Sequence, residues 1–213
     1  MTMDMKNPEV IVSTVAAWVD QYLKVPVAGV LYCVGVRATQ INVLGFGGCV
    51  FAAILISQGA ILAGGILFLL ASSLDLFDGA LARRQGTFFT FHLGGWLDSF
   101  ADKAGELCPY VALLFVTTDV TLIRLVATAS LLTVFMSYCK SLAAETGIEL
   151  DWRETPLIGR GLRVLSLGIG LIVAGASDAT IEASLIPVFL ILIFAINIPI
   201  LVYRIYKIVI KSI

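Results

Sequence analysis

The sequence has few charged residues. Only 14% of its 213 residues are Asp, Glu, Lys or Arg, whereas 59% are hydrophobic and the mean hydropathy is +0.99. So little charge cannot cover the surface of a water-soluble domain, and we therefore expect an integral membrane protein with one domain. The formal net charge of −1 says little about partners, and no nucleic-acid partner is expected.

Closely spaced cysteines and a secretory leader are also missing. The cysteines lie far apart without a Cys-x-x-Cys pair, so we expect packed thiols and not disulfides or metal ligands. They are Cys33, Cys49, Cys108 and Cys139. The N-terminal stretch MTMDMKNPEV lacks the basic region and apolar core of a signal peptide. No internal repeat or soluble linker interrupts the chain.

Apolar segments of helical length fill most of the sequence. Each approaches the ~20 residues that a helix needs to cross the hydrocarbon core. These six segments lie near 40–58, 60–82, 93–117, 119–142, 157–177 and 181–203. Residues 8–24 have the pattern of an amphipathic helix in the membrane interface, which Pro26 is expected to end. We predict an all-α integral membrane protein with six transmembrane helices and an N-terminal amphipathic interfacial helix.

Basic residues mark one side of the predicted bundle. Lys and Arg gather in alternate connections, and the opposite connections have only Arg124 close by. Because cytoplasmic loops are rich in Lys and Arg, both termini should face the cytoplasm from the cell (inner) membrane. The expected divisions are an interfacial helix with its lead-in at 1–39, a six-helix transmembrane domain at 40–205 and a basic cytoplasmic tail at 206–213.

Four aspartates interrupt the apolar segments within a short stretch. They are Asp75, Asp78, Asp98 and Asp102. Their spacings of i,i+3 and i,i+4 put each pair on one face of its helix. Carboxylates at membrane depth are costly and mark a functional site by default, and clustered carboxylate oxygens suit Mg²⁺, Mn²⁺ or Ca²⁺. Beside them, Lys103 and Glu106 are spaced i,i+3, which favours a partly buried ion pair.

The stretch 74–106 resembles the signature of the CDP-alcohol phosphotransferase family. That signature reads D-x-x-D-G-x-x-A-R and, after a short interval, G-x-x-x-D-x-x-x-D. Every fixed position is filled here, by Asp75, Asp78, Gly79, Ala82, Arg83, Gly94, Asp98 and Asp102. The interval between Arg83 and Gly94 is longer than usual, so the loop at 84–93 is the one departure from the pattern.

The resemblance implies an enzyme of phospholipid biosynthesis. Such an enzyme transfers a phosphatidyl-type group from a CDP-alcohol to an acceptor hydroxyl and releases CMP. Two divalent ions, Mg²⁺ or Mn²⁺, would be bound by Asp75, Asp78, Asp98 and Asp102. Asp102 would also take the proton from the attacking hydroxyl. The CDP group would be bound by Asp75, Gly79, Ala82, Arg83 and Gly94, and the family further implies a homodimer.

A weaker resemblance concerns the acceptor. The segments SYCKSLAAETGIE and PLIGRGLRVLSLG look like segments of phosphatidylinositol-phosphate synthases and their archaeal counterparts. The implied donor is CDP-diacylglycerol or an ether-lipid analogue, and the implied acceptor is a small phosphorylated polyol, inositol phosphate. Lys140, Arg160 and Arg163 are the candidate ligands of the acceptor phosphate. Their alternative role is contact with membrane lipid phosphates under the positive-inside rule.

Other functions stay open at this point. A glycerol-phosphate acceptor also needs cations and would make the protein a phosphatidylglycerol-phosphate synthase. Acidic residues within spans also line ion-transport paths, but no polar groups continue from these aspartates towards the far side. A non-enzymatic assembly protein would leave the four aspartates unexplained.

Overall fold

The computed structural model describes residues 14, 17–86, 92–145, 157–177, 181 and 184–211, with the side chains of 92–98, 144 and 157–158 outside the description. All regular structure in these ranges is helical, as predicted. The helices are α1 (Val25–Cys33), α2 (Ala38–Ser57), α3 (Ile61–Ser73), α4 (Asp75–Gln85), α5 (His92–Val116), α6 (Val120–Glu145), α7 (Leu162–Ala176) and α8 (Ile186–Lys211). Two π-helical turns, Asp20–Lys24 and Leu157–Gly161, precede α1 and α7.

Five helical stretches are long and apolar enough to cross a membrane. They are Ala38–Ser57, Ile61–Gln85, Val120–Ala143, Gly159–Ala176 and Ile186–Ile210. Helix α5 has 25 residues, which is sufficient length. Its charged residues, among them Asp102, Lys103 and Glu106, keep it out of that set. Within the described ranges the structure therefore supports five spans, and the sixth, along α5, stays a prediction.

The second predicted span consists of two helices. Helix α3 ends at Ser73 and α4 begins at Asp75, with Leu74 in a turn between them. The Leu74 N–H bonds the carbonyl of Ala71, three residues back, at 3.2 Å. This i→i+3 bond tightens the chain by comparison with an α-helix. The first aspartate pair therefore lies at the start of a separate short helix.

The prediction that Pro26 ends the N-terminal helix is wrong. The chain is helical from residue 17 to Cys33, and Pro26 lies in the first turn of α1 after the π-helical turn. In the preceding π-helical turn the Val25 N–H bonds the carbonyl of Asp20, five residues back, and this wider turn lets the helical path continue past the missing N–H of Pro26. At the other end of the chain, α8 continues to Lys211, so most of the expected tail at 206–213 is helical.

The N-terminal helix packs against α4, the helix that carries Asp75. Ala28 is fully buried in a small apolar cluster with Ala80 and Leu81. Gln85, the last residue of α4, donates to the carbonyl of Val36 at 2.6 Å and accepts from the N–H of Ala38 at 3.2 Å. These contacts fix the connection between α1 and α2 against the end of α4.

The main apolar core lies among α2, α3, α5, α6, α7 and α8. Its largest members have no exposed surface: Phe68, Tyr110, Leu113, Leu171 and Leu190. The cysteines are unpaired, as predicted, and Cys49 is buried in this core, but Cys33 is exposed and therefore not a packed thiol. The core therefore holds the long helices together below the polar end that carries the aspartates.

Glycines let α3 and α7 approach closely. A Cβ atom on Gly65 would lie 2.8 Å from the Cβ of Leu171, and one on Gly175 would lie 2.6 Å from the Cα of Leu62. Small residues at helix–helix contacts allow backbones to pack closely in membranes. The contact at Gly175 is the tighter constraint, because a backbone atom cannot turn away as a side chain can.

We expect Gly175→Ala to destabilise the protein by about 1–3 kcal/mol, the usual cost of overpacking. The measurement is thermal unfolding of the purified protein in detergent. Gly47→Ala is the matched control, because a Cβ atom there would meet nothing within 4 Å. If G175A unfolded at the same temperature as G47A, the close α3–α7 contact would be refuted.

Candidate active site

Three segments meet at one end of the helical bundle. They are the start of α4, the middle of α5 and the turn that precedes α7. Between them lies a cavity whose polar lining includes Asn42, Ser72, Asp75, Asp102 and Arg160. Asn42 and Ser72, on α2 and α3, were not candidates from the sequence, because neither belongs to the aspartate pattern.

A single arginine nitrogen joins two of the aspartates. Nη1 of Arg160 contacts Oδ2 of Asp75 and lies 2.8 Å from Oδ1 of Asp102. All three side chains are partly exposed, at 23% for Arg160, 31% for Asp75 and 32% for Asp102. The expected meeting of the two aspartate-bearing helices is therefore seen for Asp75 and Asp102. Spacing alone did not indicate that Arg160 would lie between them.

The other two aspartates are less completely described. Asp78 is 8% exposed and accepts a hydrogen bond from the backbone N–H of Gly79. Asp98 and Gly94 lie within α5, but their side chains are outside the described part of the structure. Among the described side chains no group of three or more metal-ligating residues is assembled.

The donor chemistry at this point nevertheless fits a hard cation. Carboxylate oxygens are the ligands that Mg²⁺ and Mn²⁺ prefer. Asp75 and Asp102 come from different helices and already converge on one positive group, Nη1 of Arg160. A divalent ion bound by both carboxylates would therefore compete with the Arg160 guanidinium.

The candidate nucleotide ligands on α4 are accessible. At Gly79 a Cβ atom would have only Arg83 Nη1 nearby, at 3.8 Å, so helix packing does not explain this glycine. Arg83 is exposed, and Ala82 is partly so. Arg84 instead lies against α1, where its Nη1 is 3.0 Å from the position of a Cβ on Gly29. The structure thus separates two arginines that the sequence left equivalent.

The candidate acceptor ligands do not converge. Arg163 is 4% exposed and forms a two-pronged ion pair with Glu106, with Nε–Oε1 and Nη2–Oε2 distances of 2.6 and 3.1 Å. Its Nη1 also donates to Oδ1 of Asn197 at 3.3 Å. Lys140 is exposed on α6. Among the described side chains, Arg160 is the one of the three that contacts an aspartate, since Arg160 in the π-helical turn and Arg163 on α7 reach different carboxylates.

The prediction that Lys103 pairs with Glu106 is wrong. Both oxygens of Glu106 bind Arg163, and Nζ of Lys103 lies 3.4 Å from the hydroxyl of Ser141 on α6. The i,i+3 spacing on one helix is outweighed here by a buried guanidinium on another helix. A charge-assisted, two-pronged contact is stronger than a single exposed pair.

One buried cation near the site was missed by the sequence analysis. Arg204 on α8 is 3% exposed, and its Nη1 donates to the carbonyl of Met136 at 2.6 Å. Its Nη2 lies 3.9 Å from the position of a Cβ on Gly159, the neighbour of Arg160. In the sequence it looked like one of several terminal basic residues, and no local pattern distinguished it.

Comparison with known proteins decides the family. A model of the CDP-alcohol phosphatidyltransferase family matches residues 38–195. The chain belongs to this family. It is therefore a phosphatidyltransferase of phospholipid biosynthesis that uses a CDP-linked alcohol, as the resemblance at 74–106 implied. No curated protein matches the sequence.

Solved structures of phosphatidylinositol phosphate synthase from Mycobacterium tuberculosis share the fold. The complex with manganese and citrate has a TM-score of 0.72 at 23% identity, over 87% of this chain and 88% of that one. The structure with CDP-DAG bound has a TM-score of 0.69 at 22% identity, over 87% and 92%. The apo form has a TM-score of 0.71 at 23% identity, over 86% and 94%. At 22–23% identity, this similarity shows that the chain has the same fold as these structures.

We expect Arg160→Gln to raise the affinity for Mn²⁺, by about tenfold or ~1.4 kcal/mol, because the metal no longer has to displace a guanidinium from Asp75 and Asp102. Isothermal titration of the purified protein with Mn²⁺ measures this dissociation constant.

Arg124→Gln is the matched control, since it removes the same charge from an exposed site near the start of α6. Its dissociation constant should stay at the wild-type value. Unchanged or weaker Mn²⁺ binding by R160Q would contradict the competition between Arg160 and the metal.

Proposed function

We propose that this enzyme transfers a phosphatidyl-type group from CDP-diacylglycerol, or its ether-lipid analogue, to inositol phosphate. The observation that carries the proposal is the 2.8 Å contact between Arg160 and Asp102. A cation beside the expected proton acceptor suits an acceptor alcohol that itself bears a phosphate. The solved synthases with the same fold include one with CDP-DAG bound, which agrees with the donor.

The proposed chemistry is displacement at phosphorus. The acceptor hydroxyl oxygen attacks the lipid-bearing phosphorus of the donor, the bond from that phosphorus to the bridging pyrophosphate oxygen breaks, and CMP leaves. Asp102 orients the hydroxyl and takes its proton. Two Mg²⁺ or Mn²⁺ ions, held by Asp75, Asp78, Asp98 and Asp102, would supply charge neutralisation at the entering and leaving oxygens.

The donor nucleotide is proposed to lie along α4. Gly79 and Ala82 leave space beside the helix, and exposed Arg83 can form charge-assisted bonds to the pyrophosphate. Asp75 and Gly94 complete the proposed nucleotide ligands. The openness at Gly79 supports this assignment over helix packing, since Arg83 Nη1 is the one described atom within 4 Å of a Cβ placed there.

Lys140 and Arg160 are the proposed direct ligands of the acceptor phosphate. Arg163, expected beside them, is 4% exposed and engaged by Glu106 and Asn197. We assign it an indirect role at the acceptor site. Arg160 would exchange its contacts with the carboxylates for the acceptor phosphate once divalent ions neutralise them.

The proposal also includes the orientation of the site in the membrane. The aspartates and both termini would face the cytoplasm from the cell membrane, where CDP-activated lipids are available. Helix α5 would be the sixth span, because Asp102 and Glu106 contact arginines of another segment and Lys103 lies beside Ser141 on α6. The proposal also keeps the interfacial helix with its lead-in at 1–39, the transmembrane domain at 40–205 and the homodimer.

The first test is CMP release by the purified protein with CDP-diacylglycerol and Mg²⁺. We expect release with inositol 1-phosphate and not with glycerol 3-phosphate. Release with glycerol 3-phosphate alone would identify a phosphatidylglycerol-phosphate synthase and overturn the assignment of inositol phosphate as the acceptor.

In the same assay Lys140→Ala should raise the KM of the acceptor and leave that of the donor unchanged, because Lys140 is assigned to the acceptor phosphate.

Asp102→Asn should lower kcat by about 10²–10⁴-fold, the usual contribution of a positioned general base. CMP release measures the effect, and thermal unfolding shows whether the variant is folded. Asp119→Asn is the control, since Asp119 lies outside the site and its side chain accepts from the N–H of Thr121 through an oxygen that Asn also has. Wild-type turnover by D102N would remove Asp102 from its assigned role.

A further inference from the structure

Two arginine–carboxylate contacts, one helical turn apart, join α7 and the π-helical turn that leads into it to α5. In the outer ion pair, Arg160 contacts Asp102 as well as Asp75. In the inner ion pair, Arg163 contacts Glu106. Residue numbers rise together along both helices, from 160 to 163 and from 102 to 106, so the two helices run in the same direction here. The two ion pairs therefore fix the same register between α5 and α7.

The inner ion pair is buried and fully engaged. Its side chains are 5% and 2% exposed. Arg163 binds both oxygens of Glu106, and its remaining terminal nitrogen donates to Asn197 on α8. Asn197 in turn donates to the carbonyl of Ile193 at 2.7 Å. A buried polar network whose members are paired in this way holds one arrangement, since any other leaves a charge without a partner.

The outer ion pair is more exposed than the inner one, and other ligands compete for its groups. Arg160 and Asp102 are 23% and 32% exposed. Divalent ions and an anionic substrate would both compete for these groups, the first for the carboxylates and the second for the guanidinium. The outer pair must therefore open during the reaction. Neither kind of ligand can reach the inner pair, which is excluded from solvent.

We propose that Glu106, Arg163 and Asn197 are positioning residues that hold α7 in register with α5, so that Arg160 stays beside Asp102 when the outer ion pair opens. The role of Arg160 towards substrate rests on the proposed function. The positioning itself does not, because it concerns where the Arg160 side chain is held. It explains why an ion pair lies in a region where apolar packing would give equal or greater stability.

The test is a double-mutant cycle on Mn²⁺ affinity. The variant E106L/R163M removes both buried charges and keeps apolar side chains of similar size, a replacement that is often neutral for stability. In the wild-type background R160Q should tighten Mn²⁺ binding by about tenfold. In the E106L/R163M background the same change should have an effect below about twofold, since Arg160 is no longer held at the carboxylates.

The results distinguish two explanations of how Arg160 is held, by the inner ion pair or by apolar packing. An R160Q effect that stays near its wild-type size in E106L/R163M would overturn the proposal, because apolar packing would then position Arg160 equally well. No R160Q effect in the wild-type background would overturn it too. R163K gives a second route to the answer, since Lys keeps the charge but not the two-pronged contact, and the R160Q effect should again shrink.

Leu167→Ala is the matched control. Leu167 is 2% exposed on α7, and its truncation lowers stability without touching the polar network. The R160Q effect should persist in the L167A background. If L167A reduced that effect as much as E106L/R163M does, general loosening of α7 would account for the result and the positioning role would be rejected.

Mn²⁺ binding does not depend on which acceptor is used, so this result stands apart from the proposed function. If CMP release fails with every acceptor, the proposed function falls and the cycle still decides the positioning role. With an active acceptor, E106L/R163M should raise the acceptor's KM and leave the donor's KM unchanged. A general structural defect would change both, and equal changes would count against the proposal.

Discussion

The structure depends on a positive charge that neutralises two carboxylates lying close together at one end of an apolar bundle. Asp75 and Asp102 converge from different helices on one nitrogen of Arg160. Without a cation between them, two carboxylates that approach one point would repel each other. The convergence itself is the property that a divalent-metal site requires, because the same two carboxylates must reach one point.

The surrounding packing keeps this convergence in place from several sides. Gln85 ties the end of α4 to the connection between α1 and α2. Close approach at Gly65 and Gly175 sets α3 against α7. The buried pair of Glu106 and Arg163 then relates α7 to α5 one turn beyond Arg160. The ion pair that we propose to open is partly exposed, and the pair of Glu106 and Arg163 is buried.

Membership of the CDP-alcohol phosphatidyltransferase family identifies the reaction that this arrangement serves, which is transfer of a phosphatidyl group from a CDP-alcohol. In the proposed function, a pyrophosphate donor brings negative charge to the aspartate end of the bundle, where Arg160 contacts Asp75 and Asp102. The family shares the donor and differs in the alcohol. The distinction must therefore come from residues outside the aspartate pattern, and Arg160 and Lys140 are the cations that we propose for it.

Much of this protein follows from the sequence alone. Apolar runs of the right length predict the spans, and i,i+3 or i,i+4 spacing puts each aspartate pair on one helical face, since helical periodicity is a local property. The pairing of Arg163 with Glu106, the place of Arg160 between Asp75 and Asp102, and the burial of Arg204 were decided only by the tertiary structure. Spacing states which residues share a face of one helix. Which neighbouring helix that face meets depends on packing between segments far apart in the chain, and this packing determined the partner of each charge.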